Sequence, residues 1–286
     1  MRKAFVDELV LQAQDDPAIV LLTGDLGYSV VEPFQIRFPD RFFNIGVAEQ
    51  NMVSVAGGLA KTGYKVVVYS IGNFLAFRAL EQIRNDVYFP RADVLFVGVG
   101  SGLEYGAAGF THWMTEDLAA LSALESMPVY TPSNEISLVR HLRTWLNDGG
   151  PAYLRLGKRS FAPGEVEVRN GGICWVAFQG TDEAYLSYGN VGVELKDVMA
   201  NNRAPKSLLI FEQLSPLDIE PMWQVLQSFA SLTVIEDHIW FGGLASRLAH
   251  SAYLNGRTLS ILWRGIEHAK LSLSTSTSRK TVVDLL

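Results

Sequence analysis

The apolar positions in the first 156 residues alternate between two spacings. Phe5, Leu9 and Ala13 recur every four residues, and the uninterrupted apolar run Ile19–Leu22 follows them. A three-to-four-residue spacing predicts a helix, and a short continuous apolar run predicts a strand buried on both faces. Helices are predicted in this way over 2–14, 48–61, 74–87, from 116 and from 132, and strands over 19–22, 65–70, 94–99, 129–131 and 152–156. Helices that alternate with buried strands are typical of a mostly parallel sheet flanked by helices.

A stretch without apolar periodicity divides the chain. Residues 161–172 contain one proline and three glycines, which predicts a linker. Beyond it the alternation resumes, with strands predicted over 173–178, 184–187, 207–211, 232–236 and 259–263 and helices over 191–200, 221–229 and 242–253. The predicted fold is α/β with two domains, residues 1–160 and 173–286, each a mostly parallel sheet flanked by helices. The Ser/Thr-rich stretch 272–280 is predicted to be a loosely held tail.

The composition restricts the classes of function. Of the 286 residues, 48% are hydrophobic and 19% are charged, and the net charge is -6, so the clustered basic face of a nucleic-acid-binding protein is not expected. No apolar run approaches the roughly 20 residues of a membrane span, and the charged N-terminus lacks the apolar core of a signal peptide. The single cysteine, Cys174, cannot form a disulfide within the chain. We therefore expect a cytoplasmic protein that binds neither nucleic acid nor membrane.

A glutamate stands where a glycine-containing loop enters a predicted helix. The segment Asn44-Ile45-Gly46-Val47-Ala48-Glu49-Gln50-Asn51-Met52 is followed by small and apolar residues, which permit close packing. The carboxyl group of Glu49 is therefore expected to be partly buried, and burial raises the pKa of a carboxylic acid. Two interpretations stay open: a site carboxyl group, or a first-turn glutamate that interacts with the helix dipole.

Two further segments place aromatic or imidazole side chains beside glycine-containing loops. Phe74 and Phe77 are neighbours on one face of a predicted helix, as in core packing or in a pair that stacks on a flat ring. His112 follows a glycine-rich loop whose spacing does not match a dinucleotide-binding fingerprint. A single loop histidine is either structural or a group that transfers protons near neutral pH.

Lys158 lies just after the predicted strand 152–156. Two arginines, Arg155 and Arg159, accompany it within five residues. Such a basic cluster suits a solvated strand end as well as a phosphate-binding site.

Three of these motifs, in this order, resemble the transketolase superfamily. The Glu49 segment is similar to the signature of the pyrimidine-binding domain in transketolases, deoxyxylulose-phosphate synthases and the beta subunits of 2-oxo-acid dehydrogenases. The segments 69–78 and 109–112 resemble the stretches that bear, respectively, the ring-stacking phenylalanine and the substrate histidine of transketolases. Segments 211–218 and 234–244 resemble the C-terminal domain of the same superfamily. The resemblance covers nearly the whole chain and implies a pyrimidine-binding domain followed by a transketolase C-terminal domain.

The resemblance implies thiamine diphosphate as the cofactor and a role for each motif residue. Glu49 would bind a ring nitrogen of the aminopyrimidine and activate the cofactor, whose reaction chemistry is its own. Phe77 would stack on the aminopyrimidine ring, with Phe74 lining the site or packing behind it. His112 would bind an oxygen of the donor and move its proton, and Lys158 would bind a substrate phosphate.

Two positions depart from the family pattern. Ala108 stands where the sugar-phosphate enzymes carry an aspartate, and Gly100 stands where transketolases carry a second histidine near the substrate phosphate. The loss of a polar contact to a substrate changes which substrate fits. Glu104 and Tyr105 are candidates to replace these contacts.

The resemblance also implies a partner. Transketolases begin with a domain whose Gly-Asp-Gly…Asn motif holds Mg²⁺ and the cofactor diphosphate. The segment Gly24-Asp25-Leu26-Gly27 does not match it, because it precedes the glutamate motif and lacks the downstream asparagine. No metal is therefore assigned to this chain. We expect a companion subunit that carries the diphosphate-binding domain, in an α2β2 heterotetramer.

The leading hypothesis is a subunit of a split transketolase that transfers a two-carbon ketol unit from a ketose donor to an aldehyde acceptor. A 2-oxo-acid-using carboligase or dehydrogenase beta-type subunit is the first alternative, which Ala108 keeps open. A non-catalytic assembly subunit is the second, and the joint presence of Glu49, Phe77 and His112 argues against it.

Overall fold

The computed structural model describes residues 1–162, 167–169, 174–178, 182–201 and 207–267. Its α-helices are α1 (Arg2–Asp15), α2 (Glu32–Arg37), α3 (Glu49–Lys61), α4 (Gly72–Arg78), α5 (Leu80–Gln82), α6 (Asp117–Leu121), α7 (Glu135–Asp148), α8 (Gly189–Asn201), α9 (Trp223–Gln227) and α10 (Leu244–Leu254). Its strands are β1 (Ile19–Thr23), β2 (Phe42–Asn44), β3 (Lys65–Ile71), β4 (Val94–Val99), β5 (Val129–Tyr130), β6 (Ala152–Leu156), β7 (Glu167–Arg169), β8 (Cys174–Phe178), β9 (Glu183–Tyr188), β10 (Ser207–Phe211), β11 (Gln213–Ser215), β12 (Ser231–Ile235) and β13 (Leu262–Arg264).

The first sheet has seven strands in the order β11-β5-β6-β4-β3-β1-β2. All its neighbouring strands are parallel except β11 and β5. Every residue of β1, β4 and β6 is buried, as expected for a sheet covered on both faces. Because parallel strands end at the same edge, the segments that follow β2, β3, β4 and β6 lie at one edge of the sheet, and these segments carry the predicted site residues.

The strand β11 joins the second half of the chain to the first sheet. It pairs antiparallel with β5, through Gln213 opposite Tyr130 and Ser215 opposite Val129. The backbone N–H of Thr131 also donates to the carbonyl oxygen of Glu212, at 2.9 Å. The two halves are therefore linked by main-chain hydrogen bonds.

The second sheet has six strands in the order β13-β12-β9-β10-β8-β7. Its strands β13, β12, β9 and β10 run parallel, and β8 and β7 complete the sheet in antiparallel pairs. The predicted class is therefore confirmed: two mostly parallel sheets flanked by helices.

One predicted helix is broken into three parts. The segment 74–87 falls in α4, α5 and a π-helical turn, Ile83–Tyr88. The helix is interrupted at Ala79, between α4 and α5. The turn packs closely on α3, because a Cβ at Gly57 would lie 2.6 Å from the carbonyl oxygen of Asp86. Ser54 Oγ also donates to Asp86 Oδ2, at 2.6 Å. These contacts involve the backbone and a polar side chain, so the spacing of apolar residues does not predict them.

Four short helices or strands were not predicted. The helix α2 and the strand β2 lie in the glycine-punctuated stretch before Glu49, β7 lies within the predicted linker 161–172, and β11 follows the predicted strand 207–211. Three-residue strands are too short to show a period. The predicted tail, 272–280, lies outside the described residues, and the domain limits 1–160 and 173–286 stay predictions. Among the described residues, no helix is long and apolar enough to cross a membrane.

A buried histidine on α7 is expected to make the stability of the fold depend on pH. His141 stacks on Tyr130 with ring centroids 4.5 Å apart. Burial, and secondly the charge of Arg140, lower the pKa of His141 to about 3. The unfolded chain takes up a proton near the ordinary pKa of about 6.5, whereas the folded chain does not. The free energy of unfolding is therefore expected to fall as the pH falls from 6.5 towards 3, by up to about 1.4 kcal/mol per pH unit from this group.

A His141→Gln variant tests this expectation, because its side chain is neutral at every pH. Urea denaturation at pH 7, 5.5 and 4.5 should show a smaller loss of stability in the variant than in the unmodified chain. Parallel losses in the two proteins would contradict the assignment.

Candidate active site

Glu49 is the first residue of α3 and its side chain is buried, with 2% of its surface exposed. Its Oε2 accepts a hydrogen bond from Arg78 Nη1, at 3.1 Å. Its Oε1 is also buried and has no hydrogen-bond partner within the part of the chain that the structure describes. A buried acceptor without a donor costs about 1–3 kcal/mol. The expected burial of Glu49 is confirmed, and its free oxygen marks a position where a donor from another molecule would be stabilised.

The helix α4 brings three further site residues to Glu49. Arg78, at its end, has its guanidinium carbon 3.9 Å from the centroid of the Phe74 ring. Phe77 lies one position before Arg78 and has 51% of its surface exposed, which is unusual for a phenylalanine that serves only core packing. Arg78 was not among the residues predicted from the sequence. The available signal was its spacing of four residues from Phe74, which places the two side chains on one face of the helix.

His112 lies against Phe74 from the loop that follows β4. The two rings meet edge to face with centroids 5.1 Å apart. His112 Nδ1 is 2.9 Å from Thr111 Oγ1, and Asn73 Nδ2 donates to the carbonyl oxygen of Thr111 at 2.7 Å. The start of α4 therefore holds the histidine segment in place.

Tyr105 connects His112 to Lys158. Its ring centroid is 5.7 Å from that of His112 and 5.3 Å from Lys158 Nζ. Lys158 Nζ also donates to the carbonyl oxygen of Glu104, at 3.1 Å. The carboxylate of Glu104 accepts hydrogen bonds from the backbone N–H groups of Ser101, at 2.8 Å, and of Lys158, at 2.9 Å. Burial raises the pKa of Glu104 above its ordinary value, and these N–H donors oppose the shift.

A continuous series of contacts thus joins four of the five predicted site residues. It runs from Glu49 through Arg78 and Phe74 to His112, and on through Tyr105 to Lys158. The fifth residue, Phe77, lies on α4 beside Arg78. Residues about 110 positions apart in the sequence are brought together at one edge of the first sheet.

Tyr105 also accounts for the glycine at position 100. Gly100 has a φ of +88°, and a Cβ built there would overlap the Tyr105 ring. No larger side chain fits at position 100 while Tyr105 keeps this position. Ala108 lies in an exposed 3₁₀ turn, Gly106–Ala108.

Comparison with known proteins assigns the family. Residues 1–163 match the model of the transketolase pyrimidine-binding domain. The chain is 30% identical, over 93% of its own length and 86% of the relative's, to a protein of Methanocaldococcus jannaschii named "Putative transketolase C-terminal section". It is 28% identical to one of the subunits of the apulose-4-phosphate transketolase of Phocaeicola vulgatus, over 86% of this chain and 81% of that one.

A solved structure also matches this chain over almost its whole length. It is described as a split gene transketolase in an inactive beta4 tetramer, and its TM-score to this chain is 0.79 at 27% identity. The match covers 99% of this chain and 95% of the solved one. The chain is therefore a member of the transketolase family, of the same type as the subunits of split transketolases.

Proposed function

We propose that this chain is the subunit of a split transketolase that supplies Glu49 to thiamine diphosphate and His112 to the substrate. The assembled enzyme would transfer a two-carbon ketol unit from a ketose donor to an aldehyde acceptor. The observation that carries the proposal is the buried Oε1 of Glu49, which lacks a donor among the described residues.

The residues around Glu49 suit an aminopyrimidine ring. Such a ring offers nitrogen-bound hydrogens to a carboxyl oxygen and a flat apolar face to an aromatic side chain. Glu49 Oε1 is an acceptor that needs a donor, and Phe77 is an exposed aromatic ring on the neighbouring helix. When bound, thiamine diphosphate supplies the carbon nucleophile that carries the transferred unit.

Each of the residues around Glu49 then has a defined task. Glu49 holds or releases a proton at Oε1, and Arg78 keeps that carboxyl group oriented through Oε2. Phe77 packs on the aminopyrimidine and excludes water from it. These tasks are binding, orientation and proton transfer, which are the contributions a protein makes to a cofactor enzyme.

His112 is assigned to the oxygen of the substrate. Its Nδ1 is engaged by Thr111 Oγ1, so Nε2 is the nitrogen that would hold or move a proton at that oxygen. Phe74 and Tyr105 contact the imidazole ring and limit its rotation.

Lys158 is assigned to an anionic group of the substrate. An ammonium group carries three N–H donors, and the bond to the carbonyl oxygen of Glu104 uses one of them. A phosphate is the group that the family resemblance suggests.

A companion subunit is proposed to hold Mg²⁺ and the cofactor diphosphate. Within residues 1–162 and the later described stretches, no group of three or more His, Cys, Asp or Glu residues could hold a metal ion. Two relatives support a partner by their names: one is a subunit of an apulose-4-phosphate transketolase, and the solved split transketolase is an inactive beta4 tetramer. We propose an α2β2 heterotetramer, and a cytoplasmic location stays a prediction.

The proposal is tested by producing the chain together with a candidate companion subunit. The complex, supplied with thiamine diphosphate and Mg²⁺, should cleave a ketose phosphate and extend an aldehyde acceptor. Each chain alone serves as the control and should be inactive. Release of carbon dioxide from a 2-oxo acid, with ketoses left unchanged, would contradict the ketol-transfer proposal and place the enzyme among the carboligases.

A further inference from the structure

The loop that carries His112 is held at its base by the second half of the chain. We define the His112 loop as residues 100–114. Its two ends are joined by one main-chain hydrogen bond, from the N–H of Met114 to the carbonyl oxygen of Gly102, at 2.8 Å. We call this pair of ends the base of the loop. Groups that contact the base therefore restrain both ends of the loop at once.

Asp237, which follows β12, contacts the first end of the loop. Its Oδ2 accepts a hydrogen bond from Ser101 Oγ, at 2.5 Å. Gly102 lies so close that a Cβ there would overlap the Asp237 side chain, and its φ of +49° favours glycine as well. The second half of the chain thus reaches the backbone of the loop directly.

Arg155, the fourth residue of β6, connects Asp237 to both ends of the loop. Its Nη1 donates to Asp237 Oδ1 and to Ser101 Oγ, at 2.8 Å each. Its Nη2 donates to the carbonyl oxygen of Met114, at 2.6 Å. Ser101, Arg155 and Asp237 are all buried, so these charge-assisted bonds are shielded from water.

Two neighbours of Asp237 hold the segment that follows the loop. The backbone N–H of Ile239 donates to the carbonyl oxygen of Thr115, at 3.0 Å, and His238 Nε2 accepts from the N–H of Leu118, at 3.2 Å. The short segment 237–239 therefore contacts both the start of the His112 loop and the chain that follows it.

The base of the His112 loop is also connected to the Lys158 end of the candidate site. The backbone N–H of Ser101 donates to Glu104, whose carboxylate also accepts from the backbone N–H of Lys158. Any shift of Ser101 would therefore be transmitted to Glu104 and to the adjacent Tyr105, which contacts His112.

We propose that Asp237 is a positioning residue that acts through Ser101 and Arg155 to fix the His112 loop. The second half of the chain would in this way set the position of His112 without touching the substrate. This inference rests on the proposed function for the role of His112, but the mechanical link between Asp237 and the loop can be tested without it.

The decisive comparison is between two serine variants. Ser101→Ala removes the hydrogen bond to Asp237 and the one accepted from Arg155, and it leaves the Arg155–Asp237 ion pair in place. Ser133→Ala is a matched control, because Ser133 Oγ donates to Glu212 Oε1 at the same distance of 2.5 Å, also between the two halves, but away from the loop. Asp237→Ala is less suitable alone, because it leaves Arg155 with one carboxylate fewer and could prevent folding.

Hydrogen exchange of the assembled complex gives the first readout. A lost hydrogen bond to a charged group corresponds to about a tenfold change in a local opening equilibrium. Amides in 103–112 should therefore exchange about tenfold faster in Ser101→Ala than in the unmodified protein. They should be unchanged in Ser133→Ala. Equal exchange in the two variants would overturn the proposal.

Kinetics give the second readout. Ser101→Ala should lower kcat about tenfold, since small displacements of a reacting group are costly. Its Kd for thiamine diphosphate should be unchanged, because Glu49 lies outside the His112 loop. A parallel loss of cofactor affinity would indicate a general disturbance and overturn a positioning role. If neither the unmodified complex nor any variant transfers a ketol unit, the proposed function fails, and the exchange result still decides whether the hydrogen bonds of Ser101 to Asp237 and Arg155 hold the loop.

Discussion

Replacement of Glu49 by glutamine is expected to lower the kcat of the assembled enzyme by about 100-fold or more. Proton transfer by a positioned side chain contributes about 10²–10⁴ in rate, and an amide cannot replace a carboxyl group in this role. Glutamine has nearly the same shape, and its carbonyl oxygen can still accept the hydrogen bond from Arg78 Nη1. The variant should therefore fold, so the loss would be one of chemistry.

An exposed glutamate nearby provides the matched control. Glu81 lies on α5, close to α4 in the chain, and Glu81→Gln makes the same chemical change at the surface. Steady-state kinetics and thermal unfolding of both variants, each in complex with the companion subunit, separate the two effects. Full activity of Glu49→Gln would remove the proposed mechanism, whereas equal losses in both variants would indicate an indirect effect.

The second large effect is on stability. Arg155→Met is expected to lower the free energy of unfolding by about 3–5 kcal/mol, because it leaves buried carboxylates without their cation. Arg155 Nε donates to Asp117 Oδ2, at 3.0 Å, and Nη1 donates to Asp237 Oδ1, at 2.8 Å. Tyr153 and Tyr188 would still donate to these carboxylates, but neither phenol carries a positive charge.

Arg159 offers a control four residues away. Its side chain is 49% exposed, and its Nε lies 3.2 Å from Glu194 Oε1. Because the arginine is open to solvent, although the Glu194 side chain is only 13% exposed, this ion pair is expected to contribute about 1 kcal/mol, so Arg159→Met should lower stability much less than Arg155→Met. Urea denaturation of both variants gives the comparison. Similar midpoints for the two would show that the buried Arg155 network adds nothing to the stability of the fold.

The predicted strands and most predicted helices follow from local patterning. The apolar runs 19–22 and 94–99 are strands in the structure, as is 152–156, in which Arg155 is the one charged residue, and each residue of β1, β4 and β6 is buried. A strand covered on both faces must be apolar at nearly every position, and this requirement is visible in one sequence. The predicted helix 74–87 is interrupted in the structure, and its π-helical turn contacts α3 at Gly57 through backbone atoms, which the spacing of apolar residues does not show.

The residues of the candidate site come from the sequence and stay predictions, whereas the contacts that join them are visible only in the structure. Glu49, Phe74, Phe77, His112 and Lys158 were identified by motifs that resemble a family. Arg78 and Tyr105 join these residues through ring contacts. The sequence offered only the four-residue spacing of Arg78 from Phe74 and the position of Tyr105 in the loop before His112, and neither feature showed which rings would meet. The glycine at position 100 had no explanation in the sequence, and the Tyr105 ring supplies one.

The sequence by itself determined the class of fold and the order of most elements, and it indicated the residues that are proposed to do the chemistry. Those features depend on residue type and on spacing along the chain. Only the tertiary structure decided that β11 completes the first sheet, that Glu49 keeps one oxygen without a donor among the described residues, and that Asp237 contacts the His112 loop. Each of these depends on atoms brought together from segments far apart, and hydrogen-bond geometry and burial exist only once the chain has folded.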